Sequence, residues 1–393
     1  MSIVLTSAKI VTPLETLENA SLLVSDSGQI EFIGPHSGLP HKTDTTFDLK
    51  GKTIIPGMID IHVHGGKGIT FGDNNGDPKK LQEYSEWVVS QGVIGFLCSV
   101  SAPTAGELNT ILKEYTSAFN LGLAGAEGLG FHLEGPFLSP QKKGAFNLTW
   151  LHEPDLDEIR SYLENSQGWI KQVTIAPDLP GANEAARLLR ENHIAVALGH
   201  TDCDYETASS ALSGDFNHVT HTCNAMRGLD HRRPGVLGAV LASDYVTAEL
   251  ITDLVHVHPA VIKIVIRSLG VDRVVMITDA MAGAGLGDGV YYLVGHETIV
   301  KGNRATQKDG TIAGSVTTMC QNLHSLVRTV GVPLPQAVQM ASLNPARVVG
   351  VANRLGSLET GKDASLVVLD DEMNVFMTFV RGRLVYQKEG YTL

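Results

Sequence analysis

The sequence predicts an α/β protein in which a (β/α)8 TIM-like barrel is flanked by a small β-sandwich formed by both chain termini. Three observations predict it. Short apolar runs recur eight times through the middle of the chain with helix-length stretches between them; reactive side chains stand at the C-terminal ends of those runs; and each end of the chain carries its own short-strand pattern. At 393 residues the chain exceeds what one simple core supports, which fits a large domain with a smaller companion.

The N-terminal segments SIVLTSAKIVT, ASLLVSD and QIEFIG are separated by Gly, Asp and Pro, the pattern of a small antiparallel sheet. ASLVVLD, VFMTFVRG and RLVYQKEG repeat that pattern at the far end, so residues 1–52 and 351–393 are expected to join in one β-sandwich, with the barrel inserted as 53–350. Within the insert the runs GMIDIHVH, IGFLCSV, GLGFHLEGP, QVTIAP, IAVALGH, FNHVTHT, VTAELITD and RVVMITDA read as eight buried parallel strands. Stretches such as GANEAARLLRENH supply the helices between them.

Composition narrows the function. With 43% apolar and 18% charged residues the chain is of ordinary globular type, and it has no run near the roughly 18 apolar residues of a membrane span. Met1 to Ile10 lacks a basic start followed by an apolar stretch, so no secretory signal is expected and the cytoplasm is the expected compartment. Cys98, Cys203, Cys223 and Cys320 form no CxxC pair, which argues against a disulfide framework and against a zinc ribbon. A net charge of −12 argues against nucleic-acid binding, although a local pocket suffices for one phosphorylated metabolite.

His62 and His64 in IDIHVHGG stand two apart at a strand end, so both side chains project from one face and can grip one ion. Glu134 in FHLEGP, His200 in ALGHT, His221 in VTHTCN and Asp279 in MITDA each end another apolar run with a group able to bind a divalent cation. A buried carboxylate is costly unless paired or metal-bound, so the repetition points to a metal centre. The donors suit zinc, iron or related ions. Six groups exceed what one catalytic ion needs, so one or two ions are expected, and with two, Glu134 would lie between His62 and His64 on one side and His200 and His221 on the other.

Such a centre suits hydrolysis of an amide, a poor electrophile with a poor leaving group. A metal ion lowers the pKa of its bound water to about 7 and polarises the carbonyl. Asp279 is the candidate for the remaining task, taking the water's proton and passing it to the departing nitrogen. His256 in LVHVHP follows another run and can polarise the carbonyl or bond the substrate, with His258 as a competitor; His132 reads as a buried supporting histidine. Asn224 and Ala225 offer backbone or side-chain donors for phosphate oxygens, and Arg227, Arg232 and Arg233 follow them.

These residues resemble the amidohydrolase superfamily and, within it, the N-acetylglucosamine-6-phosphate deacetylase family. The likeness runs nearly end to end, through HVHGG at 62–66, HLEGPF at 132–137, KKGA at 142–145, LGHT at 198–201, THTCNAM at 220–226, RRPG at 232–235, ITDA at 277–280 and ASLNPARVVG from Ala341. It implies a metal-dependent enzyme that deacetylates an N-acetylhexosamine 6-phosphate, most naturally N-acetyl-D-glucosamine 6-phosphate, with Asp279 as base and acid and His256 as a substrate contact. It implies further that Arg232 binds phosphate in the neighbouring subunit's site of a homodimer, that Ala145 contacts the substrate, and that Ile312, Ala313 and Gly314 close over the sugar. Relatives that use a carboxylated lysine on the fourth strand differ, because the fourth run offers only Lys171 at its start. Where the family commonly has a sugar-contacting histidine after KKGA, this chain has Phe146, which keeps N-acetylgalactosamine 6-phosphate or another N-acyl substrate in view. A noncatalytic phosphosugar-binding protein is the remote alternative.

Overall fold

The computed structural model describes residues 2–40 and 45–389; Met1, 41–44 and 390–393, which fall in the two expected sandwich segments, lie outside the described residues. Eight strands form the central sheet: β1 (Met58–Asp60), β2 (Val93–Val100), β3 (Glu127–Glu134), β4 (Ile170–Ile175), β5 (Ala195–Leu198), β6 (His218–Val219), β7 (Thr247–Ile251) and β8 (Val274–Ile277). Each pairs in parallel with the next in chain order. The ring closes just beyond the last strand, where Val63 bridges Ala280 in parallel and the Asp279 N–H donates to the His62 carbonyl at 2.9 Å. Every expected strand run contributes one strand of this barrel.

Helices α1 (Pro78–Val88), α2 (Ala105–Leu121), α3 (Leu156–Ser166), α4 (Ala182–Glu191), α5 (Tyr205–Ser213), α6 (Gly235–Ala242) and α7 (Pro259–Leu269) follow strands β1 to β7. Their starts are encoded locally: Asp77, Thr104, Asp155 and Asp204 accept N–H bonds from the first turns of α1, α2, α3 and α5. In α4 the residues Ala182, Ala185, Ala186 and Leu189, one helical face, are the buried ones.

The barrel interior is partly polar. His132, Gln172, Thr174, His218, Thr220 and Glu249 are completely buried on β3, β4, β6 and β7 or just past β6. Burying so many polar groups is tolerable only if they bond one another, and they do: Thr174 and Thr220 hydroxyls meet at 2.7 Å, and Gln172 donates to Glu249 at 2.6 Å.

Between β8 and α8 (Met319–His324) the chain makes a three-stranded antiparallel sheet, Gly289–Leu293, His296–Lys301 and Arg304–Thr306, which lies outside the expected strand runs. It packs a small core of Met281, Leu293, Val300, Ala305 and Ala313 over the barrel's C-terminal rim.

The termini form one hydrogen-bonded sheet of eight strands, in the order Arg383–Gln387, Val375–Val380, Leu366–Leu369, Thr53–Pro56, Ile3–Val11, Thr16–Val24, Ile30–Pro35, with Thr45–Asp48 beside Ile3–Val11. It folds over into a sandwich-like unit whose two sides meet through Phe47 and Phe379, ring centroids 6.0 Å apart. Thr53–Pro56, placed by the sequence reading in the barrel segment, is instead a strand of this sheet, so the chain crosses into the barrel at Gly57.

Candidate active site

All six expected ligand residues converge at the C-terminal rim of the barrel. His62 and His64 follow β1, Glu134 ends β3, His200 follows β5, His221 follows β6 and Asp279 follows β8. They fall into two groups of three, His62 with His64 and Asp279, and Glu134 with His200 and His221; within each group the ligand atoms lie within 4.8 Å of one another. Glu134 faces both. Its Oε1 is 3.0 Å from His221 Nε2, 3.2 Å from His200 Nε2 and 3.3 Å from His62 Nε2, while its Oε2 is 3.0 Å from His64 Nε2. Asp279 Oδ1 lies 3.3 Å from His64 Nε2 and 3.5 Å from His62 Nε2.

The backbone is forced to aim these groups. His200, His221 and Asp279 have φ of 49°, 24° and 52°, a left-handed region that non-glycine residues enter at a cost of about 1–3 kcal/mol each. Surrounding contacts hold them there: the Asp279 carbonyl accepts from Ser315 N–H at 2.7 Å, and Gly314, at φ 67°, lets the chain pass close to that carbonyl, where a Cβ would stand a tight 3.1 Å from its oxygen.

Ring nitrogens are oriented from behind. His200 Nδ1–H donates to the Lys142 carbonyl at 2.8 Å and His62 Nδ1–H donates to the Glu249 carboxylate at 2.7 Å, so both rings turn an Nε2 lone pair inward. His62 Nε2 is buried without a hydrogen-bond partner, and the Nε2 atoms of His200 and His221 approach to 3.0 Å. Nitrogen lone pairs facing one another beside carboxylates are the donor set of a divalent cation, so the residues present fit one. In the protein alone, burial opposes every charge here and the mutual pairing outweighs it. Glu134 and Asp279 are held below their usual range by His62 and its neighbours, His62 is held well above, and His64 is raised to about 9 by its bonds to Asp279 and Glu134.

A cavity of about 310 Å³ opens over the two groups, lined by His64, Glu134, His200, His221 and Asp279 below and by Ala145, Phe146, Asn224, Ala225, His256, Ile312 and Gly314 around them. His256 is fixed by Nδ1–H donation to Asp253 at 2.7 Å, which leaves Nε2 for a ligand, whereas the competing His258 is exposed and caps α7. His132 is excluded as a ligand, since Ser99 and Thr174 hydroxyls take both ring nitrogens. Lys171 sits at the start of β4, away from the rim, bonded to the Gly168 carbonyl.

Some expected contacts are placed differently. Ala313 is fully buried in the small core and donates its N–H to Ala305, so it does not line the cavity as Ile312 and Gly314 do. The Asn224 N–H and one hydrogen of its side-chain amide are both spent on the His221 carbonyl, leaving the second amide hydrogen and the Ala225 backbone as donors. Arg232 is exposed on the loop before α6 and outside its own chain's cavity; Arg227 beside it is engaged by Asp202. Phe146 is buried and stands edge-on to His200, with centroids 5.4 Å apart. The sequence reading missed Glu249, Asp253 and Thr311, the last a further cavity-lining residue. An ionisable residue within the apolar run of VTAELITD was the available signal for Glu249.

Comparison with known proteins agrees with this geometry. The amidohydrolase family matches residues 53–385. The N-acetylglucosamine-6-phosphate deacetylase of Vibrio furnissii is 36% identical over 370 residues, 94% of this chain and 91% of that protein. The N-acetylgalactosamine-6-phosphate deacetylase of Escherichia coli O157:H7 is 33% identical, covering 98% and 99%. A solved mutant N-acetyl-D-glucosamine-6-phosphate deacetylase from Mycobacterium smegmatis, in complex with N-acetyl-D-glucosamine-6-phosphate, superimposes with a TM-score of 0.90 at 32% identity over 98% of this chain and 99% of that one. The chain belongs to the amidohydrolase family and, within it, to the N-acetylglucosamine-6-phosphate deacetylase family.

Proposed function

We propose that this protein hydrolyses the N-acetyl amide of an N-acetylhexosamine 6-phosphate, with N-acetyl-D-glucosamine 6-phosphate as the first choice, giving the amino-sugar 6-phosphate and acetate. The observation that carries the reading is the pair of facing ligand groups beneath a cavity large enough for one sugar. His62, His64 and Asp279 would hold one divalent ion and Glu134, His200 and His221 another, zinc or iron by the donor set, with Glu134 between them. Ions there supply water acidic enough to attack at neutral pH and a Lewis acid for the amide carbonyl.

The chain's own groups do the rest. Asp279, ionised below neutral pH and lining the cavity, takes a proton as the water oxygen bonds to the acyl carbon. It returns that proton to the nitrogen as the C–N bond breaks, so the amine leaves neutral and the acyl group departs as acetic acid, which ionises to acetate in water at neutral pH. His256, oriented by Asp253, donates from Nε2 to the amide oxygen or a sugar hydroxyl. Ala145, Asn224, Ala225, Ile312 and Gly314 position the sugar from the rim, Ala313 supporting that loop from below. Arg232 reaches the phosphate of the neighbouring subunit's substrate in a homodimer; its exposure and its absence from its own cavity support this. In this reading the barrel carries the chemistry and the sheet formed by the two ends of the chain, Thr53–Pro56 included, braces it. Among the described residues no helix is long and apolar enough to cross a membrane, and we place the enzyme in the cytoplasm.

Phe146 favours keeping a second sugar in view. Its apolar ring forms part of the cavity wall, and an N-acetylgalactosamine-6-phosphate deacetylase is about as similar to this chain as the N-acetylglucosamine-6-phosphate deacetylases are. The test is amine release by metal-reconstituted protein from N-acetylglucosamine and N-acetylgalactosamine, each with and without the 6-phosphate. Turnover of the 6-phosphates alone supports the reading, and equal turnover of the unphosphorylated sugars refutes its phosphate half.

A further inference from the structure

Glu249 lies within β7, fully buried beneath the two ligand groups, with no place in the chemistry above. Four donors converge on its two oxygens. Oε2 accepts from His62 Nδ1–H at 2.7 Å and from the His221 backbone N–H at 3.0 Å; Oε1 accepts from Gln172 Nε2 at 2.6 Å and His218 Nε2 at 3.3 Å. Only an ionised carboxylate, which accepts and never donates, can satisfy all four at once. One oxygen therefore grips a ligand residue from each group, the ring of His62 from the first and the main chain of His221 from the second.

We infer that Glu249 is the positioning residue that makes His62, His64 and Asp279 an ion site and ties its filling to the Glu134, His200 and His221 site. This rests on the proposed reading that both groups hold ions. Two physical consequences of the placement carry it. Donation from Nδ1–H to Glu249 fixes the His62 tautomer with its Nε2 lone pair turned toward Glu134 and Asp279; without that acceptor the ring can place its proton on the wrong nitrogen. Charge works in the same direction. Beside Glu134 and Asp279, ionised Glu249 is a third buried negative charge, in direct contact with His62, and so favours a cation at the His62, His64 and Asp279 group. Replacing Glu249 by its neutral isostere removes that attraction.

The test counts ions. Metal-free wild type, Glu249→Gln and Glu249→Asp are equilibrated with zinc in a chelator-buffered series, and bound metal per chain is measured by mass spectrometry; thermal unfolding of the metal-free forms checks the fold. Wild type is expected to take two ions. Glu249→Gln is expected to keep one and to bind the second about 10–100-fold more weakly, with Glu249→Asp, which keeps the charge but withdraws it by one methylene, in between. The Co²⁺ absorption spectrum of Glu249→Gln should match that of His64→Gln, which damages the same ion site without touching Glu249. Two ions bound by wild type and, with unchanged affinity, by Glu249→Gln overturn the role of Glu249 alone. If wild type takes only one ion, the two-ion reading falls and this inference with it. Should the Gln form not fold, the Asp form decides, and unweakened binding of its second ion overturns the inference.

Discussion

Raising the pH of the metal-free protein should destabilise it in a window where most proteins change little. His64 is held protonated up to about pH 9 by Asp279 and Glu134, against an ordinary value of 6.5. A group whose pKa is raised on folding contributes stability that is fully present below the unfolded value and is lost as pH climbs through the folded one. The native state keeps a proton that the unfolded chain has shed, at about 1.4 kcal/mol per pH unit, so between pH 6.5 and 9 this histidine alone should remove about 3 kcal/mol. His62, held well above its usual range by Glu134, Glu249 and Asp279, steepens the loss in the same direction. Asp60, pushed up to about 7 by burial, gives up its native proton near the start of the window and adds little beyond it. An ion must displace the histidine protons, so metal uptake in this window should release protons and the slope should vanish in the loaded protein. Urea unfolding of chelated and metal-loaded protein at half-unit pH steps measures the first. Calorimetric metal titrations in buffers of different protonation enthalpy count the second. Equal pH slopes for the two forms, or metal uptake without proton release, would refute the assignment of these histidines as ion ligands.

Three further outcomes follow from the same geometry. Asp279→Asn keeps the shape but cannot take the water's proton, so kcat should fall about 10²–10⁴-fold in a steady-state assay of amine release. Arg232→Ala should raise KM for the 6-phosphate substrate by about 10–100-fold, the worth of a charge-assisted bond, and leave the metal content unchanged; an unaltered KM would remove this arginine from the phosphate site. Glu127, at the foot of β3, pairs with Arg354 at 2.8 Å and Arg381 at 2.6 Å and so clamps the barrel to the chain's C-terminal segment. Glu127→Ala should lower unfolding stability by about 1–3 kcal/mol, read by urea denaturation, with kcat preserved.

Much of the barrel and its rim was legible because both signals are local. An apolar run ending in His, Glu or Asp says strand and site at once, and five such ends, carrying six residues, defined the ligand groups. What escaped is set by partners distant in the chain. Glu249 sits inside an apolar run where its charge alone marks it, and its meaning comes from His62, 187 residues away. The sheet over the rim was missed because Val290, Tyr292 and Ile299, alternating outward, are exposed and its inner core comprises only a few side chains. Thr53–Pro56 carries an apolar pattern equally suited to barrel or terminal sheet, and pairing with Leu366–Leu369 decides it. Ala313 and Gly314 look alike in sequence, yet a single residue's turn at φ 67° sends one into the core and leaves the other on the cavity wall.

The central claim is that hydrolysis depends on ions held by the two ligand groups. Metal-free protein titrated with zinc, scoring bound ions per chain against amine released from N-acetyl-D-glucosamine 6-phosphate and its galactosamine counterpart, tests it most directly. Activity that is absent without metal and rises in step with filling of the His62, His64, Glu134, His200, His221 and Asp279 sites is the predicted result. Full activity in chelated protein shown to contain no ion would contradict it.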